Sequence, residues 1–215
     1  MYEAKNEMFV GEVLKNALNS NMKNCLKKAI CTLLNRLSKL LKKNCRGEAI
    51  QFHFGYWGKR VKKGYITETV DSKAEVSKYF YLETIDIWML ITKLIQIKHP
   101  KQYERLMKVK QFWNCQYTWG LWHTLAYNFQ LQSKRHIDDY DDPYGICIII
   151  PIGEFTGGEI IFHDFNIEFE CQFGDIFIGS SAQYYHSNKP IIGNRDSIIL
   201  FNYCYCTEVI NSDLQ

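Results

Sequence analysis

Apolar positions change their spacing part-way along this chain. In the first half they recur every three or four places, and from about residue 119 they alternate. Residues 8–43 are predicted to be helical. From Met22 onward, Met22, Leu26, Ile30, Leu33, Leu37 and Leu40 form one stripe with Lys and Asn between them. The stripe is nearly heptad but short, so it is expected to pack on the body of the protein rather than form a free coiled coil. Arg46-Gly47 ends it. A second helix is predicted over 73–98, with Val76, Phe80, Ile87, Trp88, Ile91 and Ile95 on its apolar face, broken at His99-Pro100. A short amphipathic helix follows over 101–110. Between the first two helices, residues 50–70 have the pattern of a short hairpin rich in aromatic and basic residues.

After residue 119 the period is 2. Short strands are predicted at Thr124–Leu131, around His136, and at Gly145–Ile152, Gly158–His163, Ile167–Cys171, Asp175–Ile178, Gln183–Asn188 and Arg195–Tyr203. Gly, Asn and Pro turns separate many of them. A run of strands after a helical block predicts an α+β protein whose β part is a double-sheet jelly roll. The expected division is 1–118, a helical and hairpin region packing on the core, and 119–215, the β core.

Composition fits this picture: 215 residues, 47% hydrophobic and 23% charged, suffice for one sizeable core. Charge adds something the periodicity does not show. Residues 1–63 hold 14 Lys/Arg against 4 Asp/Glu, a balance of +10, and residues 64–215 hold 12 against 19, a balance of −7. A basic N-terminal third suits phosphate or another polyanion as partner, or is a solvated helix face. The hairpin has the same two meanings. Tyr56, Trp57, Lys59, Arg60, Lys62 and Lys63 could stack bases and follow a backbone, or be edge aromatics with gatekeeper lysines. The eight Cys are scattered with no Cys-x-x-Cys pair, which excludes a zinc ribbon and suggests reduced thiols inside a cell. The longest apolar run, Ile146 to Ile152, is too short to span a bilayer, so no membrane partner is expected. Oligomeric state is not legible.

Candidate chemistry starts at His136-Ile137-Asp138. A His and an Asp two apart on a strand face the same side. An imidazole and a carboxylate so placed are two thirds of a 2-His-1-carboxylate site for non-haem Fe(II), although a chance surface pair has the same spelling. His186 lies five strands later and can supply the second imidazole. Arg195, Ser197, Ile199 and Phe201 share one strand face. A guanidinium beside a hydroxyl is suited to hold a carboxylate. Asn128 is either a plain strand amide or a further ligand contact, and Asp139, Tyr140, Asp141 and Asp142 either orient the metal ligands or form a solvated acidic turn. His163-Asp164 has the wrong spacing for a rival site, and His53, His99 and His123 have no partner spacing and are expected to be structural.

The series His136-x-Asp138, His186, Arg195-x-Ser197 resembles the signature of the Fe(II)/2-oxoglutarate-dependent dioxygenases. Gly157-Gly158-Glu159 and Phe173-Gly174-Asp175 resemble that family's turns, with Phe173 where Pro is common. The resemblance covers about residues 119–205. It implies a double-stranded β-helix, the cupin-like form of jelly roll, with the N-terminal helical layer outside it. It implies Fe(II) on His136, Asp138 and His186, with 2-oxoglutarate held by Arg195 and Ser197. O2 would be the oxidant and ascorbate an accessory reductant; 2-oxoglutarate would go to succinate as a C–H bond is hydroxylated.

Such motifs define a reaction, not a substrate. The barrel segments are most similar to fungal and protist proteins grouped with the ten-eleven translocation and J-binding-protein oxygenases. That grouping implies the methyl group of a pyrimidine in DNA as substrate, a flipped base, and a nuclear location. A prolyl/lysyl-type protein hydroxylase, cytoplasmic, is the second branch, and a non-catalytic barrel acting as a binding module is the third.

Overall fold

The computed structural model describes residues 2–3, 9–41, 50–58, 66–69, 75–113, 115 and 117–211. The basic run Lys59, Arg60, Lys62 and Lys63 lies outside the described residues. The N-terminal part contributes β1 (Tyr2–Glu3), β2 (Phe9–Leu14), α1 (Ser20–Leu41), β3 (Ile50–Gly58), β4 (Ile66–Glu68), α2 (Glu75–Lys98) and α3 (Pro100–Trp113). Then come β5 (Thr124–Phe129), β6 (Cys147–Gly157), β7 (Ile160–Phe162), β8 (Ile167–Phe169), β9 (Ile176–Gly179), β10 (His186–Asn188), β11 (Ile191–Phe201) and α4 (Cys204–Asn211).

The strands form two sheets, an eight-stranded one in the order β1-β2-β9-β6-β11-β5-β3-β4 and a three-stranded one in the order β10-β7-β8. The ladders among β2, β3, β5, β6, β9 and β11 are antiparallel. The larger sheet thus takes strands from both sides of residue 118. β6 and β11 are its spine, paired from Ile191↔Gly157 to Leu200↔Ile148. The mixed α+β content and the two facing sheets agree with the expected double-stranded β-helix.

Alternation along the central strands divides their side chains between two environments. On one face, Phe52, Phe54, Leu125, Tyr127, Ile148, Ile150, Ile152, Ile198 and Leu200 join Leu26 and Leu33 of α1, Trp88, Ile91 and Ile95 of α2 and Leu106 of α3 in one buried cluster. The other face looks toward the small sheet. There Val10, Cys147, Ile160, Phe162, Phe169 and Phe177 close one end of the space between the sheets, and the rest is a cavity.

Residues 9–14, predicted within the first helix, are instead a strand. Phe9 and Val10 are good strand formers, and Gly11, Glu12, Val13 and Leu14 pair with Gly179 to Ile176 of β9. A Cβ at position 11 would stand 2.9 Å from the Phe177 ring, so the close approach requires glycine. The helix begins where Asn19 Oδ1 accepts the Met22 amide, an N-cap. Met22, Leu26, Ile30 and Leu33 of the stripe pack on the core, and the side chains of Leu37 and Leu40 lie outside the described residues. The second and third helices are as expected. Pro100 opens α3, where its missing N–H is harmless. The predicted strand around His136 reduces to a single antiparallel bridge between His136 and His186.

The described cysteines, Cys25, Cys31, Cys115, Cys147, Cys171, Cys204 and Cys206, are free thiols. No described helix is long and apolar enough to cross a membrane.

Candidate active site

The bridge between His136 and His186 is what creates the site. Each residue's amide donates to the other's carbonyl, at 3.0 and 2.8 Å. Two histidines fifty residues apart are thereby directly opposite, with ring centroids 4.2 Å apart. The turn after His136 brings Asp138 back between them, its amide donating to the Ser181 carbonyl at 3.2 Å. Asp138 Oδ1 lies 3.5 Å from His136 Nε2, and Oδ2 lies 3.6 Å from His186 Nε2. One donor atom from each of the three residues falls within 4.8 Å of the others, and this is the one such His/Asp/Glu/Cys cluster among the described residues.

The backbone also selects the tautomer. Nδ1 of His136 donates to the Lys134 carbonyl at 2.7 Å, and Nδ1 of His186 to the Tyr184 carbonyl at 3.1 Å. Each ring, once neutral, therefore turns an unprotonated Nε2 inward, the form in which imidazole binds a metal. Burial pulls His186 below the ordinary imidazole range, with Asp138 opposing that. His136 is raised, chiefly by its hydrogen bond to Asp138. Burial pushes Asp138 up, but hydrogen bonds from His136 and Ser181 and the charge of His186 outweigh it, and the carboxylate ends below its ordinary range. Two imidazoles and one ionised carboxylate on one side of a space suit a divalent iron with an open face.

That space is a cavity of about 280 Å³, near the lower end of the roughly 300–1,000 Å³ usual for small-molecule sites. Its lining includes His136, Asp138 and His186 at one place, and Arg195 and Ser197 at another. The structure thus brings all five expected site residues to one cavity. Arg195 and Ser197 project inward from β11, where Ser197 is opposite Asn128 of β5, and Asn128 is opposite Gln51 of β3. Gln51, Asn128 and Ser197 form a polar row across three strands. All three line the cavity.

Arg195 is 3% exposed and forms no ion pair among the described residues. Its guanidinium lies over the Phe155 ring, 5.6 Å from the centroid. Its Nε is buried without a hydrogen-bond partner, and so is Oδ1 of Asn128. Burial alone lowers the Arg195 pKa. An unpaired buried charge costs several kcal/mol, so the arrangement makes physical sense as one waiting for an anion. The neighbouring glycines make room for it. Opposite Arg195, Gly153 has φ +123°, and a Cβ there would strike the Asn194 carbonyl at 2.1 Å. At Gly158, φ +72°, a Cβ would press on the Arg195 side chain at 3.2 Å.

The rest of the lining was only partly foreseen. Gln51 and His53, from the N-terminal hairpin, are cavity wall. No local signal marks them; only the pairing of β3 with β5 does. His53, expected to be structural, packs edge-on against Trp57 and Phe201 while bordering the cavity. Trp57 stacks at 4.9 Å on Tyr203, which lines the cavity. Tyr140 and Asp141 also line it. Asp141 is raised well above the carboxylate range by burial and by Asp138, Asp142 and Asp139. His99 pairs with Glu12 at 2.6 Å, and His123 bonds Asn202 at 3.0 Å. His163 bonds the Ser187 hydroxyl at 2.9 Å, and Asp164 accepts the Tyr185 amide in a turn, as expected for that pair.

Comparison with known proteins supports the fold. No family model matches the chain, and no curated protein matches it by sequence. Among solved structures, NgTET1 in complex with 5mC DNA superposes with a TM-score of 0.71 at 17% identity, over 95% of this chain and 76% of that one. OsALKBH1 superposes with a TM-score of 0.51 at 12% identity, over 91% and 97%. A 2OG-Fe(II) oxygenase family oxidoreductase from Burkholderia pseudomallei gives 0.47 at 13% identity, over 89% and 82%. The fold is a double-stranded β-helix like that of NgTET1 and OsALKBH1.

Proposed function

We propose that this chain is an Fe(II)- and 2-oxoglutarate-dependent dioxygenase that hydroxylates a C–H bond. The observation that carries the proposal is that one cavity joins a His-Asp-His donor set to a buried arginine with no anionic partner among the described residues. Either half alone has other uses. Together they match a metal and a dicarboxylate bound side by side.

Nε2 of His136, Nε2 of His186 and a carboxylate oxygen of Asp138 would hold the iron. When bound, the iron couples O2 activation to conversion of 2-oxoglutarate to succinate. The chain's own residues bind, orient and exclude water. Arg195 offers its guanidinium, and Ser197 its hydroxyl, to the carboxylate of 2-oxoglutarate remote from the iron. Asn128, with its buried carbonyl oxygen unpaired, is placed to orient the same molecule. The apolar Ile149, Ile160 and Ile199 on the cavity wall limit water around it.

For the substrate we favour the methyl group of a modified pyrimidine in DNA. The support is the extent of the superposition on NgTET1, whose structure holds 5mC DNA. Tyr140, Asp141 and Tyr203 line the cavity and provide polar groups for a flipped base. The basic N-terminal third is the proposed contact for the DNA backbone.

Purified protein with Fe(II), ascorbate and 2-oxoglutarate is expected to release succinate. Nucleosides from 5-methylcytosine DNA incubated with it are expected to contain oxidised pyrimidines by mass spectrometry. Succinate formed on a peptide pool and not on DNA would replace the substrate with a protein side chain. Failure to bind either iron or 2-oxoglutarate would leave only a binding module.

A further inference from the structure

Outside the metal and anion positions, Asp142 is a buried carboxylate that accepts three hydrogen bonds. Its carboxylate receives both ends of the Arg105 guanidinium from α3, Nη1 to Oδ2 at 2.5 Å and Nη2 to Oδ1 at 2.7 Å. The two side chains are only 12% and 3% exposed. Oδ1 also accepts the Tyr144 amide at 3.2 Å. The Gly145 amide donates to the Asp142 carbonyl at 3.0 Å. A Cβ at Gly145 would meet Oδ2 at 2.8 Å, so the packing there admits no side chain without movement.

What Asp142 belongs to gives this pair its interest. Residues 140–142 lie antiparallel to residues 202–204. The Cys204 amide donates to the Tyr140 carbonyl at 2.9 Å, Asp141 bridges Tyr203, and the Asp142 amide donates to the Asn202 carbonyl at 2.8 Å. This short ladder puts Tyr140, Asp141 and Tyr203 on the cavity. Asp138, at the other end of the loop, is held through Ser181, and its carbonyl accepts the Asp141 amide at 3.0 Å, one bond that joins the two ends. Apart from that bond, the metal end is anchored on Ser181 and the Tyr140–Asp141 end on residues 202–204 and on the Arg105 fork at Asp142.

We infer that Arg105 is a positioning residue for the substrate-facing wall. Its fork on Asp142 fixes the Tyr140–Asp141 segment from outside the cavity, without touching His136, Asp138 or His186. A planar, bidentate guanidinium sets both position and orientation of the carboxylate; a lysine ammonium sets neither as tightly. Release of the fork would let Tyr140 and Asp141 drift while His136, Asp138 and His186 stay together. Misplacement on the scale of 1 Å is enough to cost on the order of 100-fold in reaction of a bound substrate. The inference rests on the oxygenase proposal for its catalytic consequence, but its structural content stands apart.

The test uses the full chain with Arg105→Lys, and Asp142→Asn as a second variant that keeps the side-chain shape. Amide hydrogen exchange across residues 138–145 is expected to quicken on the order of tenfold at Asp142 and Gly145. Affinity for Co(II) and for 2-oxoglutarate is expected to match the parent. On 5-methylcytosine DNA, oxidised product per succinate released is expected to fall, because cosubstrate turnover continues with the substrate misplaced. Unchanged exchange overturns the inference, and so does a parallel loss of Co(II) binding, which would make the pair a support of the metal site or of the whole fold. Product and succinate falling together at a constant ratio would equally overturn it, as a pure stability effect. If the parent itself releases no succinate, the oxygenase proposal fails, and the exchange and Co(II) results still decide the role of the pair.

Discussion

The two faces of β11 obey different rules. Ile198 and Leu200 point outward into the helix-covered core and are fully buried among apolar neighbours. Arg195 and Ser197 point inward and are nearly as buried, yet Arg195 has no ion pair among the described residues. The outer face is optimised for stability, since every buried methylene there adds hydrophobic stabilisation. The inner face carries a charge whose desolvation lowers stability. Proteins retain such cost where function needs it, so burial alone is not the signal of a site; burial without satisfaction is.

The largest expected effect lies on the inner face. His136→Ala is expected to reduce Co(II) or Fe(II) affinity by more than the roughly 10–100-fold typical of losing a mere supporting group, measured by equilibrium titration. Retention of affinity would break the assignment of the metal ligands. Next, Leu200→Ala on the outer face is expected to cost about 2–5 kcal/mol in unfolding free energy by denaturant titration, with 2-oxoglutarate affinity unchanged in the folded fraction. A selective loss of 2-oxoglutarate binding would mean that the two faces are not separable.

Arg195→Met inverts that pattern. Removing an unpaired buried cation is expected to leave the ligand-free protein as stable as the parent or stabilise it by about 1–4 kcal/mol, while 2-oxoglutarate binding is lost. A strongly destabilised variant would show that Arg195 has an anionic partner within the fold. The smallest effect is in pH. Asp138 raises the His136 pKa above its ordinary 6.5. In metal-free protein the pair therefore contributes stability that is fully present below 6.5 and is lost as pH rises through the raised value. Metal must displace that proton, so Co(II) affinity is expected to climb with pH through and above 6.5, by up to about tenfold per unit. A flat profile would mean that His136 does not carry the proton.

The inner face was legible where its residues lie close along the chain or carry distinctive chemistry. His136-x-Asp138 and Arg195-x-Ser197 are each pairs of i and i+2 on extended backbone, and His186 completes the donor set. The apolar face of α2 was legible because a helix writes its burial locally, at Ile87, Trp88, Ile91 and Ile95. What was not legible depends on register between distant segments. Gln51 and His53 reach the cavity only because β3 pairs with β5. Arg105 meets Asp142 across 37 positions, and no spacing rule joins them. Phe9–Leu14 was absorbed into the helical pattern because its apolar residues fit both periods until β9 supplies a partner. In sequence Asn128 reads as a strand amide or a ligand contact; its buried, unpaired oxygen appears only once the cavity does.

The central claim is that a metal and 2-oxoglutarate share this one cavity. Anaerobic calorimetric titration of 2-oxoglutarate into the protein, with and without Fe(II) and in the parent and Arg195→Met, tests it most directly. The account requires tight binding only with both the metal and Arg195 present, and by linkage an equal gain in Fe(II) affinity when 2-oxoglutarate is bound. Binding that is indifferent to the metal and to Arg195 would contradict it.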